Sequence, residues 1–257
     1  MENNIQTSQT SEQKEQPGLL SRIMMLFSEP SKLFGILTGK TAWLIPLIII
    51  GILGTAIYYQ TRPIFAEGME ATLMEMLQTY EDKIPAAQYS QMIEDATKQF
   101  DEARENKFLW YSPLLSSGVP LVIWMIISVI GMLAGNFIFG GKAGFWLIFN
   151  VVTYAALIGL LGDVIRDSMM LSKGTTDVFT GLGLLKPIIG GNTFLFYLFR
   201  QIDIFSIWRI IVTCIGLGVV YKMSAKKFGY VIFGIWVVFI VIVAALNASF
   251  FAGGIIY

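Results

Sequence analysis

The chain has no histidine, and a single cysteine, Cys214, in 257 residues. Without histidine the commonest general base and metal ligand are missing, which removes most triad and metalloenzyme chemistry. Cys214 has no partner for an intrachain disulfide, and its apolar neighbours disfavour the thiolate that reactive cysteines need. It is expected to act as a small packing residue. Charge is scarce too. Lys, Arg, Asp and Glu make up 14% of the residues, against about a quarter in soluble domains. The formal net charge is zero, so no global field favours nucleic acid, and none is expected as a partner. No Walker loop, nucleophile elbow, CxxC pair or dinucleotide fingerprint is present, and joints such as Gly140-Gly141 lack the strand–helix context of a phosphate loop. The expectation is a non-enzyme with no catalytic residue, cofactor or metal. Residues 1–18 lack the apolar core of a cleavable signal and read as a disordered cytoplasmic tail.

What the chain does have is apolar sequence: 55% of its residues are hydrophobic and its mean hydropathy is +0.65. The stretch 203–229 is the most legible. It opens on Asp203, runs apolar past Trp208, Cys214 and Tyr221, and closes on Lys222, Lys226 and Lys227. From Asp203 to Lys222 is about 28 Å of helix, close to the roughly 30 Å of bilayer hydrocarbon. The aromatic rings stand near its two ends, at headgroup level. Further spans are predicted at 42–60, about 119–139, 144–162 and 229–252. The fold class is therefore an all-α membrane protein of five transmembrane helices. Gly131 and Gly135 form a GxxxG pair, and Ala244, Ala248 and Ala252 a small-residue ladder, both permissive for close helix approach.

Between the first two spans, residues 61–112 are polar. Phe65, Met69, Leu73, Met76, Leu77 and Tyr80 recur at helical spacing, as do Tyr89, Met92, Ile93, Ala96, Phe100 and Ala103 after Pro85. This predicts an extracytoplasmic helical hairpin with its apolar faces packed together or on the bilayer. Its clustered acids lack the calcium-loop pattern and read as a solvated face. Before the first span, residues 19–41 alternate Leu20, Ile23, Met24, Phe27, Leu33, Phe34 and Leu37 with Arg22, Lys32 and Lys40. They read as two short amphipathic helices broken at Pro30, lying in the cytoplasmic interface or covering the ends of neighbouring spans. Residues 193–200 are expected to form a short interfacial or re-entrant helix.

Leu26-Phe27-Ser28-Glu29-Pro30 with Phe34, then Trp43-Leu44-Ile45-Pro46-Leu47, is similar to the opening of bacterial Yip1-domain proteins. The acid, aromatic and tryptophan entering the fourth span, and the Lys226-Lys227 turn into the fifth, resemble the same family over the stretch from Leu19 to the C-terminus. The resemblance implies five membrane helices in a single Yip1-like domain and no known catalytic residue. Eukaryotic relatives are associated with small GTPases and vesicle traffic; the bacterial branch has no settled role to transfer.

Five spans with the N-terminus inside put eight bases against four acids in the cytoplasmic segments, and nine bases against fourteen acids outside. Every cytoplasmic turn between helices is basic and free of acid, as the positive-inside rule requires. The C-terminus is then outside, and the setting implied by the resemblance is a bacterial inner membrane. The remaining base, Arg209, lies inside the fourth span. It either snorkels to the outer interface or pairs across helices with Asp163 or Asp167, forming an anion or lipid-headgroup site. Asp203 lies six residues before it, about 240° away around an ideal helix. Asn150, Thr153 and Tyr154 share a face of the third span and either bond between helices or line a polar cavity. The expected partners are the bilayer itself, membrane proteins, or a second copy of the chain. The leading function is a scaffold or adaptor that organises membrane proteins or lipids. The rival is a small-solute or lipid transporter using the Asn150 face and Arg209, and an intramembrane enzyme would need two acids meeting at one cavity.

Overall fold

In a computed structural model, the described residues are 17–37, 39–78, 85–105, 112–191 and 193–251. The tail expected before Pro17 lies outside them, as do Tyr80, Glu81, Asp82, Lys83 and Ala252. The described chain is helical: α1 Leu19–Ser28, α2 Pro30–Ile36, α3 Leu44–Gln78, α4 Ala86–Arg104, α5 Ser112–Leu133, α6 Phe145–Lys173, α7 Lys186–Ile189, α8 Phe194–Arg200, α9 Ile204–Tyr221 and α10 Ala225–Phe251. A π-helical turn, Ala134–Ile138, ends α5, and a 3₁₀ turn, Leu182–Leu185, precedes α7. Among the described residues there is no strand, only an isolated bridge between Gly181 and Asp203.

Five helices are long and apolar enough to cross a bilayer: Leu44–Ala71, Gly118–Ile138, Phe145–Lys173, Ile204–Tyr221 and Ala225–Ser249. The chain is a multi-pass membrane protein. Two boundaries differ from the sequence reading. The first span does not stop at residue 60 but continues as one helix to Gln78 across Pro63. The third runs eleven residues past 162, to Lys173, and ends where Gly174 adopts φ +63°, the left-handed conformation favoured after a helix C-terminus. Polar composition marks where lipid stops. It does not stop a helix: α3 passes Pro63 and α6 passes Gly162 unbroken.

The bundle is built around α6. Ile148, Phe149, Tyr154, Ala155 and Ile158 are at most 1% exposed, enclosed by α3, α5 and α9. By contrast α5 and α10 show Val122, Ile126, Val238 and Ile242 on their outer faces, as helices solvated by lipid do. Antiparallel α6 and α9 approach closely because Gly216 carries no side chain. A Cβ there would stand 2.4 Å from Val151 Cγ1 and 2.9 Å from the Phe34 ring. Gly135 and Gly141 likewise admit the Tyr221 ring, so the GxxxG pair is used where α5 turns into α6.

One end of the bundle carries the lysines. Here α9 turns into α10 through Lys222, which takes φ +54°. Nearby, Asn136 accepts from the Ala143 amide (3.1 Å) and donates to the Ala143 carbonyl (3.2 Å), closing the glycine-rich joint. The pair α1–α2 does more than cover this end. Phe34 seats on Gly216, Phe27 packs edge-on against Trp208 with ring centroids 5.2 Å apart, and Leu26 and Leu33 are fully buried. The segment follows α9 inward, and it does so because the glycine groove accepts its aromatic rings.

At the other end α4 folds back on the extension of α3, so the two arms of the predicted hairpin do meet. Leu77 and Ala96 are buried there with Ala66, whereas Phe65, Met69 and Met92 stay exposed. The uninterrupted α3 carries its facing across from the span, which turns the Ala66–Leu77 side toward α4. Residues 182–200 cap this same end. Thr193 caps α8 by accepting from the Phe196 amide at 3.1 Å, and Phe196 and Tyr197 settle on Ala244 and Ala248 of α10. The small-residue ladder thus receives α8. Ala244 is about 28 Å along α10 from Ala225, so α8 lies at the end of the bundle, not within its middle.

Gly216→Ala is expected to cost about 1–3 kcal/mol through overpacking, whereas Gly54→Ala, with nothing within 4 Å of its new Cβ, should cost nothing. Denaturant titration in micelles, followed by tryptophan fluorescence, separates the two; equal midpoints would rule out the Gly216 contact.

Candidate functional site

Three arginines and two aspartates meet at the hairpin end. The apolar run of α6 finishes at Leu161, and the next turns bring Asp163 and Arg166. The chain re-enters the bundle at Asp203, after the short helix α8 that carries Tyr197 and Arg200. Asp203 caps α9: its Oδ1 accepts from the amides of Phe205 (2.8 Å) and Ser206 (3.0 Å), and its Oδ2 accepts from the Ser206 hydroxyl. Such a cap satisfies amides that the first turn would leave open, and the carboxylate suits the positive helix end.

These groups line a polar cavity of about 400 Å³ between α6, α8, α9 and α10. Gly159, Gly162, Asp163 and Arg166 form one wall; Phe205, Ser206 and Arg209 face them, with Asp203 above and Asn247 on the α10 side. Thr180, Tyr197, Arg200 and Gln201 close the end. The glycines let the facing side chains come close. A Cβ on Gly159 would stand 3.3 Å from Arg209 Nη1, and one on Gly162 would stand 2.7 Å from the Phe205 ring. Burial raises the Tyr197 phenol above its ordinary value, with Arg200 acting weakly the other way, so that hydroxyl stays neutral at physiological pH.

The predicted pairing is redistributed. Arg209, Asp163 and Asp203 do line one cavity, although about 240° of ideal helix separates Asp203 from Arg209, which does not make them a same-face pair. Asp203 is the N-cap in extended backbone (φ −132°, ψ 164°), so the wheel does not extend to it. Its side chain folds over the helix end while that of Arg209 leans back toward the same end. The cation that holds Asp163 and Asp167 is not Arg209 but Arg166, at 3.1 Å to each. Its i,i+3 spacing to Asp163 was the available signal. Asp167 is buried at 6% exposure in that pair and does not line the cavity. The Arg209 guanidinium makes no ion pair or hydrogen bond among the described residues. Arg200, Tyr197 and Asn247 were missed because they reach the cavity from segments with no periodic relation to α6 or α9.

Asn150 belongs elsewhere. It is fully buried near the lysine end and donates from Nδ2 to the Gly39 carbonyl at 2.7 Å. Thr153 hydrogen-bonds back to the Phe149 and Asn150 carbonyls of its own helix. Between Asn150 and Gly159 every residue of α6 is buried, about 13 Å of packed helix. Among the described residues the polar groups on α6 do not join into a path.

Compared with protein-family models, with curated proteins and with solved structures, the chain has no match.

Replacing Asp203 with Ala removes the α9 cap and is expected to destabilise the protein by about 1 kcal/mol. Asp203→Asn or Asp203→Ser, which keep an acceptor, should recover most of it. The three denaturation midpoints in one detergent decide this, and an unshifted Ala variant would refute the role.

Proposed function

We propose that this chain is a Yip1-like integral membrane protein of a bacterial cytoplasmic membrane that organises lipids or membrane proteins without catalysing a reaction. The observation that carries the reading is the closed packing of α6. Its polar residues Asn150, Thr153 and Tyr154 are enclosed by packed neighbours, and the polar cavity between α6, α8, α9 and α10 is confined to one end. A solute pathway needs polar groups continuous through the bilayer, and the buried stretch of α6 between Asn150 and Gly159 interrupts one. An acid–base reaction needs a carboxylate free to take a proton. Asp203 is engaged by three donors and Asp163 by Arg166, which argues against the enzyme reading.

In this reading the N-terminus is cytoplasmic and the C-terminus external. The lysine end, with Lys142, Lys222, Lys226 and Lys227, meets anionic headgroups and cytoplasmic partners. The α3–α4 hairpin and the cavity face outward. The alternative, transport of a small anionic solute or lipid, draws on Arg209, which lacks a partner.

Topology labelling tests the orientation. In a Cys214→Ala background, Ser90→Cys is expected to react with a membrane-impermeant maleimide in intact cells, and Ser224→Cys only after permeabilisation. The reverse pattern would overturn the assignment. For the adaptor role, reversing the charge of Lys222, Lys226 and Lys227 together should abolish at least one reproducible co-purifying protein from native nanodiscs. An unchanged protein set would count against it.

A further inference from the structure

The charges lining the cavity do not cancel. Three arginines face two aspartates, and both aspartates are already engaged. Asp203 spends its two oxygens on two backbone amides and the Ser206 hydroxyl. Asp163 is held by Arg166, which also binds Asp167. Arg200 and Arg209, in contrast, form no ion pair among the described residues. Asp167 beside the cavity balances the third arginine, so what is left over is two guanidinium groups without an ion-pair partner, and the planar fork of each matches a phosphate in two parallel hydrogen bonds.

Location narrows the choice of anion. Arg209 is about 18 Å along α9 from Tyr221, and Asp203 about 27 Å. The cavity therefore sits where the spans end, at the level of bilayer phosphates. Arg209 shares the cavity with Asp163 and Asp203 but ion-pairs with neither, and the most abundant groups at that level able to bond a guanidinium directly are phosphodiesters, each carrying a single negative charge. At about 400 Å³ the cavity exceeds the needs of a bare ion and lies within the range of small-ligand sites, about 300–1,000 Å³. The rest of the lining suits a polar substituent on the phosphate: Tyr197, Thr180 and Gln201 line the same cavity.

We propose that this cavity binds a phosphodiester monoanion, with Arg209 and Arg200 as its two guanidinium contacts, Asp163 and Asp203 fixing the geometry around them. The proposal deepens the lipid-organising reading above and rests on it. The phosphodiester belongs either to a phospholipid headgroup or to a soluble phosphodiester with the same chemistry.

The test uses the full chain purified in micelles doped with phosphatidylglycerol, with lipid retention read by native mass spectrometry. In parallel, binding of the deacylated headgroup glycerophosphoglycerol is measured by calorimetry. Wild-type protein is expected to keep at least one phosphatidylglycerol, with retention falling about tenfold in Arg209→Gln, less in Arg209→Lys, and measurably in Arg200→Gln. Binding of glycerophosphoglycerol without lipid retention, with the same dependence on Arg209, would assign the site to a soluble phosphodiester. Wild-type protein that holds neither probe overturns the proposal, as does an Arg209→Gln variant that holds either probe as well as wild type. Should Arg209→Gln fail to fold, Arg200→Gln on the exposed end of α8 decides alone, and unchanged binding there overturns it. Because these readouts need neither an orientation nor a protein partner, a failed maleimide or co-purification result leaves them standing, and the converse also holds.

Discussion

The close antiparallel approach of α6 and α9 at Gly216 is the constraint on which the other contacts depend. In lipid, apolar side chains gain little by leaving the solvent, so helices associate through van der Waals contact and a few hydrogen bonds. Contact of that kind is strongest where backbones come near. Gly216 lets Val151 and the Phe34 ring reach the α9 backbone, so the same glycine groove joins α6 to α9 and seats the segment before the first span. At the lysine end, Gly135 and Gly141 accept Tyr221, and Phe228 stacks beside it with ring centroids 5.3 Å apart. The α5–α6 and α9–α10 turns are thereby packed on each other.

Once those two helices are aligned, the chemistry of the opposite end follows. Antiparallel packing sets Gly159 and Gly162 against Arg209 and Phe205, which come close because no Cβ intervenes, and the cavity opens beside them. The ionisable groups collect there because the polar ends of two spans coincide in height, and because α8, seated on Ala244 and Ala248, closes the space above them. Packing in the middle and polarity at the end have one cause, the register of α6 on α9. The division leaves a packed centre and two chemically different ends.

Much of this was legible in the chain. Hydropathy marks the five spans, since each needs about twenty apolar residues to cross. Asp203 reads as a helix start and Lys222 as its end, because capping and lipid chemistry act locally. The hairpin was visible as periodicity: Leu77 and Ala96, on the two faces so read, are buried, and Phe65 and Met69 are exposed, where they can meet the bilayer. The helical wheel fails at Asp203 because a cap lies outside the helix whose angles it was assigned.

By itself, then, the sequence determined what runs of three to twenty residues can determine: helical periodicity, the length of each span, the caps, and the asymmetry of lysines and acids between the two ends. Only the tertiary structure decided which charges meet. Arg166 rather than Arg209 holds Asp163 and Asp167, Asn150 turns to the Gly39 carbonyl, and Arg200, Tyr197 and Asn247 arrive from two separate segments, α8 and α10. Those meetings depend on the rotation and axial register of one helix against another. Register is set by glycine contacts whose partners are distant in the chain, as the Gly216 contacts with Val151 and Phe34 are, and no local pattern encodes that pairing.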